Sequence, residues 1–302
     1  MRVLVTGASG YIGFAVAKAF RQAGHHVYGL VRSEGAASRL QKEEIDPVVV
    51  SDLSHPQVFA SVARLSNVLV HCAFESSEEG VKKDAHTIEA LIGYAREQQV
   101  HKVLIYTSGT WVYGSSPDWP VDESSLLKPI DFLKWRPQHE EMVLKASSTS
   151  VSSIVIRPGI VYGQRGGLTA LWFDAAEKGP ILLCGNGLNH LAMIHIDDLA
   201  RLYVAAAEKE LGSIILNAVD DHRVQAKDCA EAIASYLNVT PKFIPLAAKD
   251  AFKHYGPIYQ GLELNQWVTS ERAKRLLGWQ PKQPSFIAGV ANYYRAWKAF
   301  NA

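Results

Sequence analysis

Apolar runs and amphipathic stretches alternate along the first half of the chain. The runs are RVLVT from residue 2, HVYGLV from 26, PVVV from 47, NVLVHCA from 67, KVLIYTS from 102 and SSIVIRP from 152. Each is short, rich in β-branched residues and too continuous to leave one face wet, which predicts strands buried on both sides. The segments between most of them show helical periodicity and are long enough for a crossover. That rhythm predicts an α/β fold, a doubly wound parallel sheet. After about Gly163 the pattern changes: glycine-rich turns (QRGG, CGNG) and short helices separate two later runs, MIHI and GSIILNAV. Residues 1–163, with later segments returning, are expected to form the sheet domain, and 164–302 mainly a smaller C-terminal lobe. Open α/β sheets bind ligands at the carboxyl edge of their strands, so the lobe is expected to carry substrate specificity.

The first strand runs directly into TGASGYIG, Thr6–Gly13. Gly7 suits a sharp turn, Gly10 lets backbone approach a pyrophosphate, and Gly13 lets the following helix pack closely on the strand. The first-turn N–H groups of that helix would then face phosphates. Residues Gly7, Ser9, Gly10, Tyr11, Ile12 and Gly13 are therefore the expected dinucleotide cradle; the alternative is a strand–turn–helix that binds nothing. The 302 residues are 48% hydrophobic with a net charge of +1, enough for a large core and no electrostatic reason for a nucleic-acid or membrane partner. Cys72, Cys184 and Cys229 lack metal-ligand spacing and read as buried thiols of a reducing compartment. No apolar run reaches the ~20 residues of a membrane span, and a strand beginning at residue 2 leaves no room for a signal peptide, so a cytoplasmic location is expected.

These pieces, with SDL at Ser51–Leu53, VHCA at Val70–Ala73, YTSGTWVYG at Tyr106–Gly114, RPGIVYG at Arg157–Gly163, IHIDDLA at Ile194–Ala200 and SERAKRLLGWQP at Ser270–Pro281, occur in the order of one family. The chain resembles the short-chain dehydrogenase/reductase superfamily, in its extended branch of NAD(P)-dependent epimerases, dehydratases and reductases. The resemblance covers nearly the whole chain. It implies a Rossmann core with a C-terminal substrate lobe, Asp52 and Leu53 at the adenine, Cys72, Ala73 and Thr107 along the cofactor, and Pro158 and Gly159 beside the nicotinamide. It also implies a homodimer through helices at roughly 80–99 and 137–148, although the polar WRPQHEE stretch offers no apolar seam.

Cofactor choice is read locally. The residue after the second strand meets the adenosine ribose, where an acid suits a free 2′-hydroxyl and a base suits a 2′-phosphate. Here it is Arg32, followed by Ser33, which favours NADP(H) over NAD(H). Glu34 reaching the ribose would reverse this. For Asp52 the alternative is a strand-end turn residue.

The family's chemistry rests on a Tyr-x-x-x-Lys pair and a Ser or Thr, and all three positions are replaced. Counted from Val112–Gly114, the hydroxyl position falls on Gly109; the family's order of an acid, a proline and then the tyrosine reads here as Glu123, Pro129 and Trp135, so the lysine position falls on His139. An indole N–H does not titrate near neutral pH, so Trp135 does not replace a phenol. The one tyrosine with a lysine four residues on, Tyr294 with Lys298, lies in a C-terminal helical pattern and is a decoy. His139 is the leading catalytic candidate, able to donate a proton or hold ribose hydroxyls, with a surface histidine as the alternative. Ser108 and Thr110 flank the vacated position and strand alternation points them together. Tyr113, Trp135, Arg136 and Arg157 are candidate substrate contacts; Arg136 reads equally well as a solvent-facing helix residue, and the turn at Arg157 as a buried strand exit. A metal site at His195, Asp197 and Asp198 is rejected because acids at a helix start cap backbone donors. Two functions follow. The leading one is an NADP(H)-dependent oxidoreductase or isomerase acting on a small carbonyl-containing or sugar-like substrate with non-standard proton delivery. The other is a non-catalytic redox sensor or scaffold acting on a protein partner.

Overall fold

In a computed structural model describing every residue except 98–99, 117, 210 and 240–242, each expected apolar run becomes a strand. The order is β1 (Arg2–Thr6), α1 (Tyr11–Gln22), β2 (His26–Val31), α2 (Glu34–Gln41), β3 (Asp46–Val49), α3 (Ala60–Leu65), β4 (Val68–His71), α4 (Glu78–Arg96), β5 (Lys102–Thr107), α5 (Arg136–Leu144) and β6 (Val151–Pro158). They form a seven-stranded sheet ordered Ile214–Ala218, β6, β5, β4, β1, β2, β3. Every pair from β6 to β3 is parallel. The chain winds outward from β1 to β3, then restarts on the other side of β1 with β4. The strand order therefore reverses between β1 and β4, where an open sheet forms its crevice.

Contacts divide the chain into two units. One comprises Met1–Ser108, Trp135–Arg157 and Leu199–Leu216; the other comprises Gly109–Lys134, Pro158–Asp198 and Asn217–Ala302. The sequence expectation placed one main boundary near Gly163. The chain instead leaves the sheet unit at the carboxyl end of β5, at that of β6 and again within Ile214–Ala218. The change of pattern after Gly163 marks only part of the middle excursion.

In the sheet unit, Leu4, Leu69 and Leu104 stand in register across three strands and pack with Phe59, Ile88 and Leu91 from the flanking helices. Burying one such side chain fully contributes roughly 1.5–3 kcal/mol. α4 begins at Ser77, whose side chain accepts the Gly80 amide at 2.9 Å, and buries the stripe Gly80, Asp84, Thr87, Ile88, Leu91. Asp84 is an ionisable residue on an otherwise neutral face. Lys102 is also buried, its ammonium donating to the carbonyls of Ala63, Arg64 and Ser66 at the end of α3.

The second unit has its own core, in which Ile160, Tyr162, Phe173, Phe286 and Trp297 pack together. Asp220 lies against it. Burial pushes its carboxyl up to about 6, although the Tyr162 hydroxyl donates to it at 2.8 Å. The unfolded chain ionises this group near pH 4. The folded state therefore holds the proton longer, and Asp220 contributes stability that is full below about pH 4 and lost as pH rises to about 6. Urea unfolding of the wild type against Asp220→Asn is expected to show a difference that changes across this window and is level above it; a constant difference would remove Asp220 as the cause.

Candidate active site

The glycine turn is held by backbone contact. Gly7 has φ of +65°, and a Cβ there would lie 2.7 Å from Ala73 Cα at the end of β4. A Cβ on Gly13 would lie 2.2 Å from the Gly7 carbonyl oxygen. These approaches draw β1, α1 and β4 together, and α1 starts at Gly10 with no side chain capping its first turn. A helix start without a side-chain cap is a general feature of anion sites. Gly13→Ala is expected to abolish dinucleotide binding in calorimetry; binding within about threefold of wild type would mean that the turn does not hold the phosphates.

The turn opens onto a cleft of about 450 Å³. Of the residues expected to hold cofactor, Gly7, Ser9, Gly10, Tyr11, Ile12, Gly13, Arg32, Asp52, Leu53, Cys72 and Ala73 line it. The shape, the glycine cradle and the open helix start fit a dinucleotide. Arg32 is exposed at the cleft, while the Ser33 hydroxyl instead accepts the Ala36 amide as the cap of α2. Asp52 Oδ1 accepts from the Ser54 amide and hydroxyl, at 2.9 and 3.0 Å, and Oδ2 lies 3.6 Å from Lys83 Nζ. The Ser54 amide above all, opposed by partial desolvation and aided by the Ser54 hydroxyl and Lys83, holds its carboxyl below the usual range. Asp52 is therefore both a turn residue and part of the cleft wall. The Thr107 hydroxyl donates to Cys72 Sγ at 3.2 Å and accepts from the Tyr203 hydroxyl at 2.8 Å. Burial pushes the Cys72 thiol up to about 12, so it stays protonated and inert near neutral pH.

Pro137 sits in the first turn of α5, and Trp135 is the N-cap residue just before it. Trp135 stacks on Phe74 with centroids 5.9 Å apart and rings 19° from parallel. The Arg136 guanidinium lies over both rings, 4.3 Å from the Trp135 centroid and 4.8 Å from that of Phe74. Its Nη1 donates to the Tyr106 hydroxyl and the Thr107 carbonyl, so Arg136 is buried and not solvent-facing. His139 is 5% exposed, which sets aside the surface reading. One helical turn past Trp135, its Nδ1 donates to Asp84 Oδ2 at 2.7 Å. Burial alone would raise Asp84, but the hydrogen bond from His139, the nearby His71 ring and the charge of Arg136 outweigh it and hold the carboxylate well below its ordinary range. Asp84 and His71 also line the cleft.

Several expected contacts are committed elsewhere. The Ser108 hydroxyl donates to Glu140, whereas that of Thr110 donates to Gln266 at 3.1 Å. They do not point together, because β5 ends at Thr107 and Thr110 begins a 3-10 turn where strand alternation does not apply. The Tyr113 phenol is buried and donates to Asn217 at 2.8 Å, so it is not available to a substrate. Arg157 is 2% exposed and grips Glu140 with Nε and Nη2, which makes it a structural cation and not a substrate ligand. Pro158 ends β6, and Gly159 packs where a Cβ would lie 2.5 Å from the Ala192 carbonyl oxygen. Asp198 accepts the Lys282 and Gln283 amides, and His195 Nδ1 accepts that of Asp197.

Sequence reasoning missed Asp84, the centre of the buried cluster. Its signal was present: it falls four residues from both Gly80 and Ile88, on the apolar stripe of α4, where a charge needs partners.

The model of the NAD dependent epimerase/dehydratase family matches residues 3–218. An uncharacterized protein of Schizosaccharomyces pombe is 30% identical over 97% of this chain and 99% of its own length. A 3-diazoavenalumate denitrifying reductase of a Streptomyces species is 28% identical over 96% of this chain and 99% of its own. Among solved structures, the UDP-glucuronic acid 4-epimerase of Bacillus cereus with UDP-glucuronic acid and NAD superposes with a TM-score of 0.83 at 20% identity, over 99% of this chain and 100% of that one. The preference for NADP(H) drawn from Arg32 is overturned by these matches. The family is NAD dependent, and NAD is the dinucleotide in that structure and in others of this fold. The physical reason is local: one exposed guanidinium, Arg32, lines the cleft where a 2′-phosphate wants several donors, and Ser33 is not among the residues that line it. A purely non-catalytic role falls with it, and among the described residues no helix is long and apolar enough to cross a membrane. This chain belongs to the NAD dependent epimerase/dehydratase family and is an NAD(P)-binding enzyme of its oxidoreductase and epimerase class.

Proposed function

We propose that this enzyme uses NAD(H) to reduce a small conjugated electrophile that accepts an electron pair without prior protonation by a strong acid. The observation that carries this reading is Trp135 at the tyrosine position, stacked with Phe74 and Arg136. Bound NADH supplies the hydride. The chain's own residues hold the dinucleotide through the glycine turn and Asp52, present an aromatic surface through Phe74 and Trp135 with the buried Arg136 guanidinium packed against both rings, and handle a proton at His139. A planar, electron-poor acceptor suits such a surface. The Streptomyces relative, named as a reductase of a diazo compound, supports this class of acceptor. Sugar-nucleotide epimerisation is the second reading, favoured by the end-to-end fold match to the Bacillus cereus epimerase. It requires a hydroxyl to lose its proton, a task for which the tyrosine position has no base.

The test follows reduced-nicotinamide absorbance with an aryl diazonium salt, an α,β-unsaturated aldehyde and a quinone, each against a no-enzyme control, and separately offers NAD⁺ with UDP-glucuronic acid. NADH consumption above the control with the electrophiles is the expected result. Epimerised UDP-glucuronic acid with no electrophile reduced would overturn it.

A further inference from the structure

The Asp84 carboxylate is met by two histidines through opposite ring nitrogens. His139 Nδ1 donates to Oδ2 at 2.7 Å, and His71 Nε2 lies 3.3 Å from Oδ1, an ion-pair distance without hydrogen-bond geometry. The Tyr106 hydroxyl adds a donor to Oδ2 at 2.9 Å. All of these groups are buried, His71 at 2% and Asp84 at 4% exposed.

The far side of His71 is settled by counting. Thr6 Oγ1 lies 2.6 Å from His71 Nδ1 and accepts the backbone amides of Cys72 and Ala73, both at 3.2 Å. A hydroxyl has two lone pairs and one proton. With both lone pairs taken by amides, the proton goes to His71 Nδ1, and a neutral His71 carries its own proton on Nε2, facing Asp84. His139 is wired the other way. An ionised carboxylate only accepts, so the proton of a neutral His139 ring is on Nδ1, and its lone pair is on Nε2.

We propose that Asp84 is a positioning residue that fixes His139 as the Nδ1–H tautomer, so that Nε2 is the one ring atom that gives or takes a proton where the family pattern places its lysine. A proton released from Nε2 passes to the acceptor and leaves the ring neutral, with Nδ1–H still on Asp84. The link to turnover rests on the proton-handling role given to His139 above; the tautomer itself does not.

The test is nitrogen NMR of the full chain labelled with ¹⁵N-histidine, with His71→Gln and His139→Gln spectra to assign the two rings. In neutral rings, His139 is expected to show a protonated Nδ1 and a bare Nε2, and His71 the reverse. Asp84→Asn, whose amide can donate where the carboxylate accepted, is expected to move the His139 proton to Nε2 while His71 stays held by Thr6. In the same variant kcat is expected to fall by about 100-fold with little change in the KM for NADH. Neutral wild-type His139 protonated at Nε2 would overturn the proposal, as would an unchanged His139 tautomer in folded Asp84→Asn. The wild-type spectrum decides even where the variant does not fold. Failure of every electrophile to consume NADH would remove the proposed reaction and leave the tautomer result standing.

Discussion

Replacement of Glu140 by alanine is expected to lower the unfolding free energy by roughly 3–5 kcal/mol, because it strands a buried cation. Glu140 projects from α5 and Arg157 from β6, and both are 2% exposed. Glu140 Oε1 accepts from Arg157 Nε at 2.9 Å and from the Ser108 hydroxyl, and Oε2 accepts from Arg157 Nη2 at 2.5 Å. Removing the carboxylate leaves a guanidinium out of water with its charge uncompensated, and that penalty exceeds what the pair contributes when intact. Replacing both partners together by apolar residues of similar volume is therefore expected to cost less than the single change. Urea unfolding of Glu140→Ala and of the double variant Glu140→Leu with Arg157→Met checks this. A loss below about 1 kcal/mol in Glu140→Ala would place the pair among solvated ion pairs and contradict its burial.

His139→Ala is expected to reduce turnover by about 100-fold or more, the usual worth of a positioned proton donor or acceptor. Within the sheet unit, His139 stands one helical turn from Trp135, with ring centroids 4.7 Å apart, and is anchored by Asp84. Trp135→Phe is the informative companion. Phenylalanine keeps an aromatic face for stacking on Phe74 and removes only an N–H that does not titrate, so turnover is expected to stay within about tenfold of wild type. Turnover of a conjugated electrophile with saturating NADH is the measurement. Full activity in His139→Ala would take the proton role away from this residue, and collapse in Trp135→Phe would assign the indole a task beyond stacking. His139→Ala also strips one hydrogen bond from Asp84, leaving Tyr106 on Oδ2. A parallel unfolding curve separates loss of chemistry from loss of fold.

The glycine turn was legible because its requirements are local. Three glycines at fixed spacing after a strand meet backbone limits that act within one turn, and the structure shows the close approaches that those limits forbid to any side chain. The cofactor identity was misread at Arg32, since the residue's charge was visible but its standing at the cleft without Ser33 was not. Tyr113 and Arg157 were misread for a related reason. Each lies in a motif beside the expected site, and only packing shows that one phenol serves Asn217 and one guanidinium serves Glu140.

The chain's own pattern determined the parallel sheet, the order of its elements, the glycine cradle and the loss of the Tyr-x-x-x-Lys pair. Those follow from periodicity, backbone sterics and side-chain chemistry, which act between neighbours in sequence. Tertiary structure alone decided which buried charge found which partner: Asp84 with a histidine 55 residues on, Glu140 with Arg157 and Ser108, and Thr6 with His71. A buried ionisable group announces that it needs a partner, since leaving it unpaired in a low dielectric is costly. Its sequence position does not name that partner, because the choice depends on how strands and helices far apart in the chain come to lie side by side.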